Sequence, residues 1–101
     1  MYDASMLIDG FQWDEGNLAK CQKHGVSIAE IEALFSSGTL IEFPDPHPGE
    51  VRLRGIGRSG AGRHIFVVWT VRRERDGNLI RPISARYMHA EEIEHYEQAQ
   101  R

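Results

Sequence analysis

His64-Ile65-Phe66-Val67-Val68-Trp69-Thr70-Val71-Arg72 is the densest apolar stretch of the chain. Ile65 to Trp69 form one unbroken run of β-branched and aromatic residues, and Thr70 and Val71 extend it. Such a run predicts a strand buried on both faces or nearly so. It stops abruptly in Arg72-Arg73-Glu74-Arg75. A buried strand that ends in arginines delivers fixed cations to a surface, which is the first pointer to function.

Strand signals flank this centre. Before it, Val51 and Leu53 alternate with Arg52 and Arg54, the pattern of a half-buried antiparallel strand. Arg58-Ser59-Gly60-Ala61-Gly62 reads as the turn into the central strand. After it, Asp76-Gly77-Asn78 reads as a tight turn, and Leu79 to Arg86 as a last strand, with Pro82 marking an edge or a bulge. Further upstream, Thr39 to Phe43 is extended. Pro44 to Gly49 is a rigid loop, because three prolines there allow neither helix nor ladder.

Helical signals lie outside the strands. A short first strand is expected around Met6 to Gln12. A helix then starts at Trp13-Asp14, with Asp14 as the cap and Trp13 and Leu18 as a hydrophobic staple. Gly25 ends it. Ser27-Ile28-Ala29-Glu30 is a capping box, and Ile28, Ile31, Leu34 and Phe35 recur at helical spacing. The two helices must turn as a hairpin. Met88 to Gln100 forms a final helix, with Ile93 and Tyr96 inward and Glu91, Glu92, Glu94 and Glu97 outward. The order predicts one α+β domain over residues 1–101. A helical hairpin and a C-terminal helix would pack on one side of a four- to five-stranded antiparallel sheet.

The 101 residues suffice for one domain, and 41% apolar content supports a modest core. No stretch is long and apolar enough to span a membrane, and no secretory signal is expected from MYDASMLIDG. The single cysteine, Cys21, fits a small buried hydrophobe in a reducing cytoplasm and gives no cysteine-rich zinc site. The net charge of −3 hides a segregation of sign. Residues 51–88 hold nine arginines against Glu74 and Asp76, a local +7; the remainder balances at −10. The basic block uses arginine alone, whose planar fork suits phosphate. The plainer reading is that these arginines solubilise a sheet and pair with acidic helices.

Several segments together resemble the BrnT family of bacterial type II toxins. They are Phe11-Gln12-Trp13-Asp14, Lys23-His24-Gly25-Val26-Ser27, Glu50-Val51-Arg52, Ile56-Gly57-Arg58, Thr70-Val71-Arg72 and Ile80 to Arg86. The similarity runs from about residue 9 to residue 97. It implies a RelE-like fold and a metal-independent endoribonuclease that blocks translation, with no cofactor. It also implies a BrnA-like antitoxin with a ribbon-helix-helix region, so that DNA is met only through the antitoxin. A cytoplasmic protein acting on RNA, away from membranes, follows, and a homodimer stays open. The chain departs from the family pattern at Cys21, where many relatives have asparagine, and at Gly16-Asn17, where a basic residue is common. A catalytically degenerate module that docks its antitoxin without cleaving RNA is therefore the alternative.

RNA cleavage without metal needs a base for the 2′-hydroxyl, an acid for the 5′-oxygen and cations for the charge gathering on phosphorus. His24 is the candidate acid or base, since histidine titrates near neutrality. Lys23 beside it would hold phosphate, and Glu50 is a second proton carrier. Lys23-His24 reads equally well as a plain helix C-cap, and Glu50 as an exposed strand residue. Arg52, Arg72 and Arg86 are assigned to catalysis with Lys23 and His24, although Arg86 could instead pair with helix glutamates. Arg54, Arg58 and Arg73 are expected to bind RNA. Trp69 could stack on a base, against the alternative of a core residue. His47, His64, His89 and His95 show no metal-ligand spacing.

Overall fold

The apolar run is the middle of a sheet. In the computed structural model, which describes residues 8–45, 48–75 and 77–99, it forms β4, His64–Glu74. Met6 and Leu7 of the expected first strand, Pro46 and His47 of the proline loop, Asp76 of the second turn and Gln100 of the last helix lie outside the described residues. Among the described residues the other elements are β1 (Gly10–Phe11), α1 (Leu18–Gln22), α2 (Ile28–Leu34), β2 (Ile41–Asp45), β3 (Arg52–Arg58), β5 (Gly77–Tyr87) and α3 (Ala90–Ala99). The class is α+β, and the described strands make a five-stranded sheet in the order β1-β5-β4-β3-β2.

Two features of the sheet differ from the sequence reading. It is mixed rather than wholly antiparallel: β1 pairs parallel to β5, with Gly10 opposite Leu79 and Phe11 opposite Ile80. The helical hairpin lies between β1 and the rest of the sheet in sequence, so the chain can return beside β1 in the same direction. The proline segment also contributes to a strand, since β2 runs through Pro44 to Asp45. Pro44 is tolerated there because β2 is the sheet's outer strand.

Burial alternates strictly at the start of β4. Ile65, Val67 and Trp69 are wholly buried, while His64, Phe66 and Val68 are half-buried on the other face. Their cross-strand partners share these faces: Leu53 lies opposite Trp69 and Ala85 opposite Val67. On this core face α2 supplies Ile31 and Leu34. Phe35, just past its end, meets Trp69 edge-on at 5.0 Å and Phe11 at 5.6 Å. The capping box is formed: the Glu30 amide donates to Ser27 Oγ and the Ser27 amide to Glu30 Oε1, each at 3.1 Å.

The first helix is shorter than its pattern. Regular helix begins only at Leu18. Asp14 still caps the preceding turn, its Oδ1 accepting from the Gly16 amide at 2.8 Å. Leu18 remains 39% exposed, so the Trp13–Leu18 staple does not bury that side chain. Trp13 instead donates its indole N–H to Glu32 of α2 at 2.9 Å. Val51, expected inside with Leu53, is 64% exposed, because it lies before the first residue of β3 and nothing covers it.

The last helix is on the opposite face from α2, not on one side of the sheet with the hairpin as the element order suggests, because the outward His64 and Arg86 hold its glutamates. His64 bonds Glu97 at 3.0 Å, and Arg86 forks onto Glu92 at 2.7 and 2.8 Å. None of the α3 residues is fully buried, so polar clamps anchor it as much as apolar contact does. Among the described residues no helix is long and apolar enough to cross a membrane.

Two predictions follow from this packing. A Cβ at Gly55 would lie 2.9 Å from Leu40 Cδ1 and 3.0 Å from the Trp69 ring. Gly55→Ala should destabilise the fold by about 1–3 kcal/mol through overpacking. Gly60→Ala, with open space around its Cβ, should stay within about 0.5 kcal/mol of the parent in urea unfolding. Second, the Arg86 guanidinium holds the Glu92 carboxyl down at about 2. A depressed folded-state value contributes stability above the ordinary carboxylate range and loses it as pH falls through the folded value. A carboxyl NMR titration should therefore find Glu92 ionised until pH approaches about 2. Arg86→Ala should return it toward the usual glutamate range.

Candidate phosphate-binding cavity

The site is built by alternation. In β3, Arg52 and Arg54 point away from Leu53; in β4, Thr70 and Arg72 point away from Trp69. Arg81 of β5 stands opposite Thr70. These side chains therefore share the face opposite the core. The β4–β5 register shifts between Val68 and Trp69, where Ser84 and Pro82 are their successive partners and Ile83 is the extra residue. Such a bulge bends β5 locally.

α1 meets the sheet at this bulge. Asn17, the residue before α1, is almost wholly buried. Its Nδ2 donates to the carbonyls of Pro82 at 2.8 Å and Gln12 at 3.0 Å, and its Oδ1 accepts from the Asp14 amide at 2.9 Å. Asn17 therefore ties the start of α1 to the bulged strand. The departure at Gly16-Asn17 noted in the sequence has this structural role. With α1 so placed, Lys20 joins Arg52, Arg72 and Arg81 around a cavity of about 210 Å3, together with Glu50.

Glu50 is the pivot of the cavity. Its Oε2 accepts from Arg52 Nε at 3.3 Å and Nη2 at 3.2 Å, and its Oε1 accepts from Arg72 Nη2 at 3.2 Å. Both arginines are thus held by one carboxylate, and neither is buried. Arg81 is held from the other side. Its two terminal nitrogens fork onto Asp14 at 2.8 and 3.0 Å, and Nη1 also donates to Gln12 Oε1 at 3.2 Å. The Arg81 fork is the main cause that lowers the Asp14 carboxyl below its ordinary value, followed by the Gly16 amide. The same bond raises Arg81. The cavity wall thus offers four cations against one carboxylate, an excess suited to an anion. Glu50 and Arg52 also border a second hollow of about 450 Å3 toward Pro44 and Leu53.

The other site residues named from sequence fall elsewhere. Lys23 is the C-cap of α1, with His24 exposed beside it and Gly25 turning the chain at φ +91°. Neither lines the cavity; Lys20, one turn earlier, does. Arg86 is paired with Glu92 and lies 5.0 Å over the Phe66 ring, at the α3 end of the sheet. Arg54 shares the face of Arg52 and approaches Asp45 at 4.0 Å. Arg58 and Arg73 are exposed at strand ends. Trp69 is wholly buried against Phe35, so stacking on a base is withdrawn in favour of the core role. Lys20, Arg81 and Asp14 were not singled out from sequence for the site. The alternation of Arg81 with the buried Ile80 was the one available sign for it. Among the described residues no group of three or more His, Cys, Asp or Glu side chains converges as a metal cage.

Comparison with known proteins agrees with the family resemblance. No curated protein matches the chain. The profile of a ribonuclease toxin, BrnT, of type II toxin–antitoxin system matches residues 13–92, a span that includes every cavity-lining residue. The chain therefore belongs to the BrnT family of type II toxin–antitoxin ribonuclease toxins, and an antitoxin partner comes with that membership.

Proposed function

We propose that this chain is a metal-independent endoribonuclease of RelE-like fold, one toxin domain acting in the cytoplasm, that blocks translation by cutting RNA at the Glu50–Arg52–Arg72–Arg81 cavity. The observation that supports it is the gathering of Lys20, Arg52, Arg72 and Arg81 around one carboxylate in a hollow of about 210 Å3. A scissile phosphate entering there exchanges the Glu50 contacts of Arg52 and Arg72 for its own oxygens. Arginine forks suit that geometry. The released Glu50 carboxylate takes the 2′-hydroxyl proton. The 2′-oxygen attacks phosphorus, and the 5′-oxygen leaves with a proton from Lys20. The guanidinium groups stabilise the charge that gathers on the phosphoryl oxygens, supplying electrostatically what a metal ion would. Asp14 holds Arg81 in place, acting as a positioning residue. The adjoining hollow at Pro44 to Leu53 receives the neighbouring nucleotide.

The remaining cations flank this centre. Lys23, His24, Arg54, Arg58 and Arg73 contact the RNA backbone outside the cavity, while Arg86 secures α3. The inhibitor is a BrnA-like antitoxin with a ribbon-helix-helix region, through which alone the pair meets DNA. A homodimer of the toxin is the assembly to look for in its absence.

One observation favours the second reading, a non-cleaving module that docks its antitoxin. The described cavity wall contains no imidazole, and its only carboxylate is bonded to two of its arginines. RNA cleavage by purified variants separates the readings. Arg72→Ala or Arg52→Ala should lower the rate about a hundredfold or more, the scale of losing one transition-state donor. Glu50→Gln should abolish the base without loss of folding. Lys23→Ala should retain most activity. Intact RNA with the parent protein at high concentration would establish the non-cleaving module, and loss of activity in Lys23→Ala alone would move the centre to the end of α1.

A further inference from the structure

The sheet face that holds the basic cavity carries a second, unlike surface at its other end. Ile41 of β2, Ile56 of β3, Phe66 of β4 and Met88, Tyr96 and Ala99 around α3 line a groove of about 570 Å3. That is within the range of roughly 300–1,000 Å3 typical of apolar-lined binding pockets. Ile41 is 38% exposed at its edge, and no α3 residue is buried. Glu91, Glu92 and His95 of α3 complete its lining. α3 carries Glu91, Glu92, Glu94 and Glu97 and no lysine or arginine. Among the described residues Glu92 is bonded to Arg86 and Glu97 to His64, whereas Glu91 and Glu94 have no ion-pair partner.

We infer that this groove docks a basic amphipathic helix of the antitoxin. The apolar floor takes the helix's hydrophobic stripe, and a lysine or arginine flanking that stripe meets Glu91 at the groove's edge. A helix fits better than an added strand. β2 is the exposed sheet edge, but it is five residues long and contains Pro44, which has no N–H to give a ladder. The charge also selects the place: a basic segment is repelled by the four-cation cavity and attracted by the glutamate-rich α3. The proposal rests on the family's antitoxin and not on RNA cleavage, so the two stand or fall separately.

The test uses the full chain and the antitoxin co-expressed from its own operon, with affinity measured by titration of the separated proteins. Ile41→Arg and Ala99→Arg place cations at exposed groove positions, and circular dichroism melting checks that both remain folded. Each should weaken antitoxin binding about tenfold or more, and Glu91→Lys should weaken it further at low salt than at high salt. Arg52→Ala with Arg72→Ala should leave binding unchanged. A synthetic amphipathic helix of leucine and lysine should compete with the antitoxin, and its leucine–glutamate counterpart should not. Unchanged affinity in Ile41→Arg and Ala99→Arg would overturn the proposal, as would loss of binding in the arginine variants, which would seat an acidic antitoxin segment in the basic cavity. A toxin dimer in sedimentation that Ile41→Arg dissociates would also overturn it, by giving the groove to a second copy of the chain.

Discussion

The structure depends on the seating of Trp69 between the sheet and α2. Its ring is wholly buried, meets Phe35 edge-on at 5.0 Å and lies against Gly55 of the neighbouring strand. That arrangement fixes which face of β4 is inward. Because side chains alternate along a strand, it also fixes that Val68, Thr70 and Arg72 point outward. Slipping the register by one residue would bury Arg72 and expose Trp69. The placement of the cationic cavity is thus a consequence of a hydrophobic contact on the opposite side of the sheet.

The outward face then divides by what each strand end can support. Toward the start of β4 the outward residues are His64 and Phe66, and α3 lies across them, held by Glu92 and Glu97. Toward its end they are Thr70 and Arg72, where the loop before β3 and the turn before α1 leave a hollow. Thr70 is buried, and its hydroxyl donates to the Val51 carbonyl at 2.7 Å. That bond holds the backbone next to Glu50 against β4. One face therefore presents an arginine-rich end and an acidic, apolar-grooved end. Two macromolecules of opposite charge could occupy them without sharing contacts.

The fold was legible wherever a residue pattern is local. The β4 run, the capping box at Ser27 and the arginine alternation in β3 each depend on spacing within a few residues, and each appears in the structure. The parallel pairing of β1 was not legible, because it joins residues 10–11 to 79–80 across most of the chain. The start of α1 was misread for a similar reason. Asn17 spends its side chain on Pro82, a contact 65 positions away that no window around residue 17 contains. For the site, the face of Arg52 and Arg72 could be read from alternation, but Lys20 could not. The shorter helix decides which of Lys20, Lys23 and His24 faces the cavity, and only tertiary contact with the β5 bulge sets that.

A carboxylate at the centre of such a cationic cluster has a physical reason. Four like charges around a hollow of about 210 Å3 repel one another, and long side chains would swing into solvent. Glu50 spans Arg52 and Arg72, while Asp14 forks onto Arg81, so the guanidinium groups are held in place before any anion arrives. These pairs are partly exposed, and each contributes little to stability on its own. Their effect lies in geometry instead. They hold the donors close together, and the weak, solvent-screened bonds to Glu50 can be exchanged for those to a phosphate at small cost. A buried pair would be too strong to exchange, and an unpaired cluster too loose to orient. The half-exposed bridge is the intermediate case, so Glu50 organises the guanidinium groups of the cavity without locking them.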